Sequence, residues 1–168
     1  TASWTAITII VITGDIYDGE TLTADSSLLT DDDGVGTLGY QWADQDGDIS
    51  GANSSTYTIG ACCDVLGDTY TVTVSYTDNH GTAESIASAT TSAVTFNPNG
   101  DLDGDGIINS VDTDDDGDGW IDTVDDFPLD SAEWLDTDGD GIGNNADTDD
   151  DNDGVADGAD DFPLDSSE

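Results

Sequence analysis

Residues 101–125 read DLDGDGIINSVDTDDDGDGWIDTVD, and residues 136–160 read DTDGDGIGNNADTDDDNDGVADGAD. Each stretch contains two twelve-residue loops, with oxygen-bearing side chains at positions 1, 3, 5, 9 and 12 and glycine at position 6. The side chains are Asp101, Asp103, Asp105, Asn109 and Asp112 in loop 1; Asp114, Asp116, Asp118, Asp122 and Asp125 in loop 2; Asp136, Asp138, Asp140, Asn144 and Asp147 in loop 3; and Asp149, Asp151, Asp153, Asp157 and Asp160 in loop 4.

This spacing suits a hard cation. Calcium takes about 6–8 oxygen ligands at roughly 2.3–2.6 Å, so a short chain must wrap around the ion and present an oxygen at every second residue. Glycine at position 6 permits the reversal, and position 7 is expected to supply a backbone carbonyl. The position 7 residues are Ile107, Trp120, Ile142 and Val155.

The loops differ from a calcium-binding helix-loop-helix hand in two respects. Position 12 is Asp rather than Glu, and neither flank of any loop has helical periodicity. The sequence therefore predicts calcium loops without helices, holding about four or more ions. Magnesium fits less well, because it demands near-ideal octahedral geometry and retains several waters.

The four loops form a larger repeat. Residues 101–131 match residues 136–166 at 22 of 31 positions, an offset of 35 residues. Such a period indicates a quasi-linear array in which neighbouring units complete each other's contacts. The alternative is a solvated, disordered acidic tail, but random acidity would not keep its register through four loops.

With the DDFPLDS segment that ends each half, these loops resemble thrombospondin type-3 repeats in the cysteine-free form of bacterial surface proteins. The resemblance implies that calcium replaces a hydrophobic core and that adjacent loops share ions. It makes six further carboxylates candidate bridging ligands: Asp115, Asp126, Asp130, Asp150, Asp161 and Asp165. Asn at position 9 of loops 1 and 3 lowers the ligand charge there.

Charge supports the need for cations. The chain has 40 acidic residues, no Lys or Arg, and a formal net charge of −40; 26 of the acids lie in residues 97–168. Neighbouring carboxylates repel by about 1 kcal/mol per pair even in water. Folding of the acidic half is therefore expected to require cations, and nucleic acid and anionic lipid are excluded as electrostatic partners.

Residues 1–96 predict a mainly β domain. Short strands are expected at 5–13, 21–24, 38–43, 56–59, 69–77 and 84–96, separated by turn clusters. About seven strands without a helix favour a β-sandwich. The predicted organisation is a sandwich over residues 1–96, a short linker at 97–100, and the calcium array over residues 101–168.

This half is similar to bacterial immunoglobulin-like repeats, through GETLTADSSLLTDDDGVGTLGYQW, GANSSTYTIG and DTYTVTVSYTDNHGTAES. Trp42 takes the place of the core tryptophan on the third strand, and Tyr70 that of a tyrosine corner, preceded by Asp64 and Gly67. Val72 stands where an immunoglobulin domain carries its second cysteine. The resemblance implies a structural spacer rather than a catalyst.

Several smaller features leave alternatives open. Asp44, Asp46 and Asp48 repeat the first three ligand spacings in a hairpin turn, without a continuation to positions 9 and 12. The adjacent Cys62 and Cys63 would form a strained vicinal disulfide, bonds to another subunit, or free thiols. His80 is expected in a solvated turn. No nucleophile motif, phosphate loop or zinc spacing occurs, so an enzyme is not expected.

The two apolar segments Phe127-Pro128-Leu129 and Phe162-Pro163-Leu164 are expected to seal one repeat against the next, or the last to dock on a neighbouring molecule. Asn53-Ser54-Ser55 fits a glycosylation sequon, so attached glycans are possible. No apolar run is long enough to span a membrane, and membrane insertion is not expected.

The expected function is that of a calcium-stabilised extracellular structural protein at the cell surface. It would be a segment of an adhesin, continued by further repeats of the same polypeptide, or the protomer of a head-to-tail filament that self-associates. Alternatives are a calcium-dependent carbohydrate-binding module using Trp120 or Trp134, and a spacer of a secreted hydrolase. Millimolar extracellular calcium suits modules that need only about 10⁻⁴ to 10⁻³ M affinity.

Overall fold

The computed structural model describes residues 9–61 and 64–167. Two antiparallel sheets and no helix occur in these ranges, which confirms the mainly β class. No helix in this part of the chain is therefore long and apolar enough to cross a membrane. The chain divides into two compact units, Thr1–Asn97 and Pro98–Glu168, called here the sheet unit and the loop unit.

Seven strands occur in the described part of the sheet unit. They are β1 (Val11–Thr13), β2 (Thr21–Asp25), β3 (Gly39–Asp44), β4 (Gly47–Asp48), β5 (Thr56–Thr58), β6 (Thr71–Thr77) and β7 (Ala83–Ala87). One sheet has the order β1-β2-β5 and the other β4-β3-β6-β7. All pairings between these strands are antiparallel.

Alternation of apolar and polar residues explains which face of each strand is buried. In β6, Val72, Val74 and Tyr76 point inward while the threonines and Ser75 between them point outward. Trp42 of β3 pairs with Val72 and is fully buried. Its ring stacks on Tyr57 of the other sheet, with centroids 5.8 Å apart. The two sheets therefore share one apolar core, while the immunoglobulin-like assignment stays a prediction.

The predicted long last strand, 84–96, is wrong beyond residue 87, apart from an isolated bridge at Thr95. The amides of Ser88, Thr91 and Val94 donate to carbonyls that lie two residues apart, on Val72, Tyr70 and Asp68. Because the donors are three residues apart, extra residues bulge out of the ladder. The hydroxyl oxygens of Ser88 and Thr91 accept the amides of Val72 and Tyr70, respectively, in place of backbone carbonyls.

The loop unit contains neither helix nor strand between residues 98 and 167; its backbone is a succession of turns. Its buried side chains are polar or charged: Asn109, Asp115, Asp116, Asp125, Glu133 and Asp151. Large apolar side chains such as Ile107, Trp120 and Phe162 are exposed instead. An apolar core therefore does not account for the folding of this unit.

Candidate metal centre

All four loops adopt the same local geometry, beginning with the aspartate at position 1. One carboxylate oxygen of Asp101 accepts the amide of Gly106, at position 6, at 3.0 Å. The corresponding distances in loops 2, 3 and 4 are 3.1, 3.0 and 3.1 Å. The position 1 carboxylate thus holds the reversal of the chain at position 6.

Positions 3 and 5 continue the pattern. In loop 2, Oδ1 of Asp116 accepts the amide of Asp118 at 3.2 Å, and Oδ1 of Asp118 accepts the amide of Trp120 at 2.7 Å. The other three loops repeat both bonds. Each of these carboxylates thus accepts a backbone amide with Oδ1, which leaves Oδ2 for a different partner.

Position 9 has a different role from positions 3 and 5. Its Oδ1 accepts the amide of position 2, from Asn109 to Leu102 at 2.9 Å and from Asp122 to Asp115 at 2.9 Å. Asn and Asp make this bond equally well because both offer an Oδ1 acceptor. The bond accounts for the Asn at this position in loops 1 and 3, where it preserves the loop shape.

Position 12 closes each loop by capping the turn that follows. Oδ1 of Asp112 accepts the amide of Asp114, the first residue of loop 2, at 3.2 Å. Oδ1 of Asp125 accepts the amide of Phe127 at 2.7 Å, and Asp160 does the same for Phe162. Position 12 therefore joins loop to loop within a half and loop to apolar segment at its end.

Two backbone positions require the left-handed region. Position 6 is glycine in all four loops, with φ between 92° and 100°. Position 4 also has positive φ in every loop, at Gly104, Gly117, Gly139 and Asn152. Asn is the residue other than glycine that tolerates this conformation best, so loop 4 keeps the geometry despite its departure from the glycine pattern.

The geometry brings the candidate ligands of positions 1, 3 and 5 together. Within each of three groups, one carboxylate oxygen per residue lies within 4.8 Å of the others: Asp101, Asp103 and Asp105; Asp114, Asp116 and Asp118; Asp136, Asp138 and Asp140. Two oxygens bound to one calcium at roughly 2.3–2.6 Å can be at most about 5 Å apart. The loops therefore contain acidic clusters that can hold metal ions.

Several of these oxygens are buried without a hydrogen-bond partner. They are Oδ1 of Asp115, Asp149 and Asp150, and Oδ2 of Asp116, Asp118, Asp125, Asp151 and Asp160. All eight belong to loops 2 and 4, and the chain has no Lys or Arg to pair with them. Since a buried, unpaired carboxylate is costly, this arrangement fits a cation among these oxygens.

The electrostatics agree with the geometry. Burial raises the pKa of Asp116 and Asp125 above the ordinary value, and neighbouring carboxylates raise it further. The same causes raise the pKa of Asp115 and Asp150, at position 2 of loops 2 and 4. These directions describe negative charge confined without counter-charge, which bound cations would relieve.

Asp115 and Asp150 also lie close to the preceding loop. Asp103 and Asp112 of loop 1 contribute to the raised pKa of Asp115, as Asp138 and Asp147 of loop 3 contribute to that of Asp150. A side chain at Gly117 would collide with Asp103, so loops 1 and 2 are in direct contact. Of the six bridging candidates, these two have the buried free oxygen that sharing an ion would require.

The other bridging candidates include carboxylates engaged by the backbone. Asp126 accepts the amide of Asp136 at 3.0 Å, and Asp130 accepts the amide of Ala132 at 3.2 Å. Asp165 accepts the amide and hydroxyl of Ser167, while Asp161 has no resolved role. Sequence reasoning missed Glu133, whose buried carboxylate accepts the amide of Asn145 at 2.9 Å and packs against Gly143.

The apolar side chains at position 7 point away from the clusters' polar interior. Ile107, Trp120, Ile142 and Val155 are between 43% and 48% exposed. The apolar segment at 127–129 is half-buried, whereas Phe162 and Leu164 are exposed. The second segment is therefore not sealed within the described part of this chain.

A separate group in the sheet unit was not predicted. One ligand atom each from Asp33, Asp78 and His80 lie within 4.8 Å of one another, as do those from Asp31, Asp78 and Glu84. His80 Nδ1 is 3.1 Å from Asp33. A backbone hydrogen bond from Thr82 lowers the pKa of the buried Asp78. Asp33 and Asp78 are 45 residues apart in the sequence, and Glu84 reaches the group through pairing of β7 with β6, opposite Tyr76. No local spacing therefore signals the group.

The hairpin acids serve the turn itself. Oδ1 of Asp44 accepts the amides of Asp46 and Gly47 at 2.8 and 3.0 Å, which shapes the connection between β3 and β4. A fifth calcium at Asp44, Asp46 and Asp48 is the less favoured alternative, because the loop does not continue to positions 9 and 12. Cys62 and Cys63 lie outside the described residues, so the alternatives for their bonding stay open.

Comparison with known proteins adds no family to this description: no protein-family model matches the chain, and no curated protein matches it. The resemblances to immunoglobulin-like and thrombospondin type-3 repeats therefore rest on the motifs alone.

Proposed function

We propose that this chain is a calcium-stabilised structural protein of the extracellular surface, in which ions take the part of a core in the loop unit. The observation that carries the proposal is the set of eight buried carboxylate oxygens without a partner, in a chain without Lys or Arg. Calcium suits them better than magnesium, because it accepts six to eight oxygens in flexible geometry.

The loops divide into two classes in this proposal. Loops 2 and 4 have buried free oxygens and Asp at position 9. Loops 1 and 3 have Asn at position 9 and no such oxygen, and their clusters include exposed acids. Lower local dielectric and higher ligand charge both strengthen attraction to a cation. Loops 2 and 4 are therefore expected to bind calcium more tightly than loops 1 and 3.

A structural role is supported by how the polar groups are used. The loop carboxylates hold backbone amides and one another's loops rather than converging on an apolar cavity with a nucleophile or base. The proposed setting is the cell surface, where millimolar calcium would keep such loops loaded. The chain would serve as a rigid segment of an adhesin or as the protomer of a filament.

Calorimetric titration of the chelator-treated chain tests the proposal. We expect four or more calcium ions in two affinity classes, with hydrogen exchange followed by mass spectrometry showing that residues 98–167 become ordered as the ions bind, and weaker binding of magnesium. Weak calcium binding without any structural change would identify the loop unit as a solvated acidic segment. Light scattering at saturating calcium then separates a self-associating protomer from a monomeric segment.

A further inference from the structure

An apolar groove of about 520 Å³ opens along one side of the sheet unit. One wall is formed by residues 9–12, which lead into and include most of β1, and the other by residues 87–92, which follow β7. Ile9 and Val11 of the first wall are 48% and 40% exposed. Among the described residues, β1 and β7 each lie at one edge of their sheet, so the groove runs between two sheet edges.

The two walls are neighbours that separate. At one end they pair in parallel, where the amide of Thr95 donates to Ile16 at 3.2 Å and the amide of Asp18 donates to Thr95 at 3.3 Å. Towards residues 9–12 and 87–92 the pairing stops and the groove begins. Continued pairing would have closed this side of the unit, so the groove is a gap in the β-structure.

The bulged segment leaves backbone groups available in this gap. Hydroxyls of Ser88 and Thr91 replace carbonyls as acceptors of the Val72 and Tyr70 amides. Among the described residues, no backbone hydrogen bond involves Ala89, Thr90 or Ser92. An edge with unpaired amides and carbonyls beside an apolar groove is the feature to which an added strand binds.

Charge restricts what can occupy the groove. None of its described lining residues is an acid, in a chain with a net charge of −40. A second copy is repelled over most of its surface and can approach closely through an uncharged segment. A basic partner would gain more from the acidic loops than from an apolar groove. The lining therefore favours an uncharged occupant with high β propensity.

Residues 1–8, TASWTAIT, have these properties and lie outside the described part of the chain. They contain three threonines, an isoleucine and Trp4, and no acid, glycine or proline. These residue types favour an added strand. To enter its own groove the segment would have to reverse direction beside Ile9, yet residues 1–10 contain no Gly, Pro, Asn or Asp for a turn. A different copy is therefore the better source.

We propose that residues 1–8 of one copy insert as a strand into the groove between residues 9–12 and 87–92 of a second copy. This inference deepens the self-association part of the proposed function and rests on it. The contact joins two different surfaces, so it is heterologous and generates a ring or an open filament. Backbone bonds to the bulged segment supply affinity, and the apolar walls bury Trp4 or its alternating neighbours.

Photocross-linking of the full chain tests the insertion. Trp4 is replaced by p-benzoylphenylalanine, and ¹⁵N-labelled and unlabelled copies are mixed at saturating calcium before irradiation. We expect cross-links from position 4 to residues 9–12 or 87–92 that join labelled to unlabelled copies. The same photoreactive group at the exposed Leu28 is the control and is expected to give no such product. Products confined to one copy, or an absence of products at the groove, would overturn the proposal.

A matched pair of substitutions adds a second test. Ala89→Asp places a carboxylate in the groove, whereas Ala93→Asp places it on the same segment outside the lining; both positions are exposed, so the fold tolerates either change. Because an unpaired carboxylate in an apolar contact is costly, Ala89→Asp is expected to lower the mixed cross-link yield about tenfold or more. Equal yields from the two variants would contradict the insertion.

The calcium titration remains a separate readout. Cross-links at the groove without calcium binding would refute the calcium array and leave the insertion standing. Calcium binding with ordering of the loop unit, but without these cross-links, would overturn the insertion alone.

Discussion

In the sheet unit the buried side chains are mostly apolar, from Ile10 to Val94, whereas in the loop unit they are carboxylates and Asn109. The apolar core satisfies itself, because its side chains attract one another in the absence of any other molecule. The buried carboxylates repel one another and have no basic partner in the chain. One chain thus contains a unit whose buried side chains attract one another and a unit which, in the proposed function, requires bound cations.

Removal of calcium is expected to separate the two units most strongly. With excess chelator, amides of residues 101–165 should lose protection from hydrogen exchange, because repulsion among the buried carboxylates is then unopposed. Amides of Leu22, Trp42 and Val72 should keep theirs. Hydrogen exchange followed by mass spectrometry measures both at once, and equal protection of the two units in chelator would refute the distinction.

The converse experiment damages the apolar core. Trp42→Ala removes a fully buried ring and the 2.9 Å bond from its Nε1 to Ser54, so a loss of about 3–5 kcal/mol in unfolding free energy is expected. Trp120→Ala is the matched control, since that ring is half-exposed in the loop unit and its loss should cost about 0.5 kcal/mol or less.

Denaturant unfolding in saturating calcium measures the two variants, with the calcium titration repeated on each. Trp42→Ala should leave the number of bound ions unchanged, because the loops contain no part of that core. Equal destabilisation by the two substitutions would show that the two tryptophan rings contribute equally to the free energy of unfolding.

The strands show how far local pattern determines this fold. β2, β3 and β5 lie within one residue of their predicted ends and β6 within two, because alternation in segments such as TVTVSYT defines both the strand and its buried face. The prediction of the last strand was wrong beyond residue 87 because the hydroxyls of Ser88 and Thr91 compete with backbone carbonyls for the amides of the neighbouring segment. Such competition depends on which strand is the neighbour, and the periodicity of a single segment does not identify its neighbour.

The loop geometry was accessible from sequence for a related reason. Ligand spacing and the position 6 glycines are local properties, and the repeated bonds at positions 1, 3 and 5 follow from them. Burial of Asp115 and Asp150 depends on packing between successive loops, and the group around Asp78 depends on sheet pairing. Neither of these is present in the spacing of one loop.

A smaller effect is expected from Asp116→Asn, which should weaken the protein's binding of calcium but increase its order in chelator. Oδ2 of Asp116 is buried without a partner while Oδ1 holds the amide of Asp118. Asn at position 116 keeps the hydrogen bond to the Asp118 amide and removes a charge, so calcium affinity should fall about tenfold, or roughly 1.4 kcal/mol. In chelator the same variant should be the more ordered protein, because one source of repulsion is gone.

Asp15→Asn provides the matched control, since it makes the same charge change at an exposed position of the sheet unit. It should alter neither calcium affinity nor order in chelator. Calorimetry and hydrogen exchange supply the two measurements. If Asp116→Asn weakens order in both conditions, the oxygen serves the polypeptide rather than an ion.

The smallest expected effect is alkaline and confined to the sheet unit, which contains all five tyrosines. The hydroxyl of Tyr76 donates to Asp31 at 2.9 Å. Burial is the largest cause that raises the pKa of Tyr76, and the hydrogen bond to Asp31 and the charges of Asp31 and Glu84 add to it, so the pKa moves from 10.0 to about 12. The folded state therefore favours the neutral phenol. Its contribution to stability is complete below pH 10 and is lost as the pH rises from 10 through 12.

Tyr76→Phe should cost on the order of 1 kcal/mol at neutral pH, through the lost hydrogen bonds, and should reduce the decline in unfolding free energy between pH 10 and 12. Some decline should remain, because burial also raises the pKa of Tyr70. Denaturant unfolding across this range measures the slope. The loop unit has no tyrosine, so its exchange protection in calcium should be the same in variant and parent, and a parallel change there would mean that the two units do not respond independently.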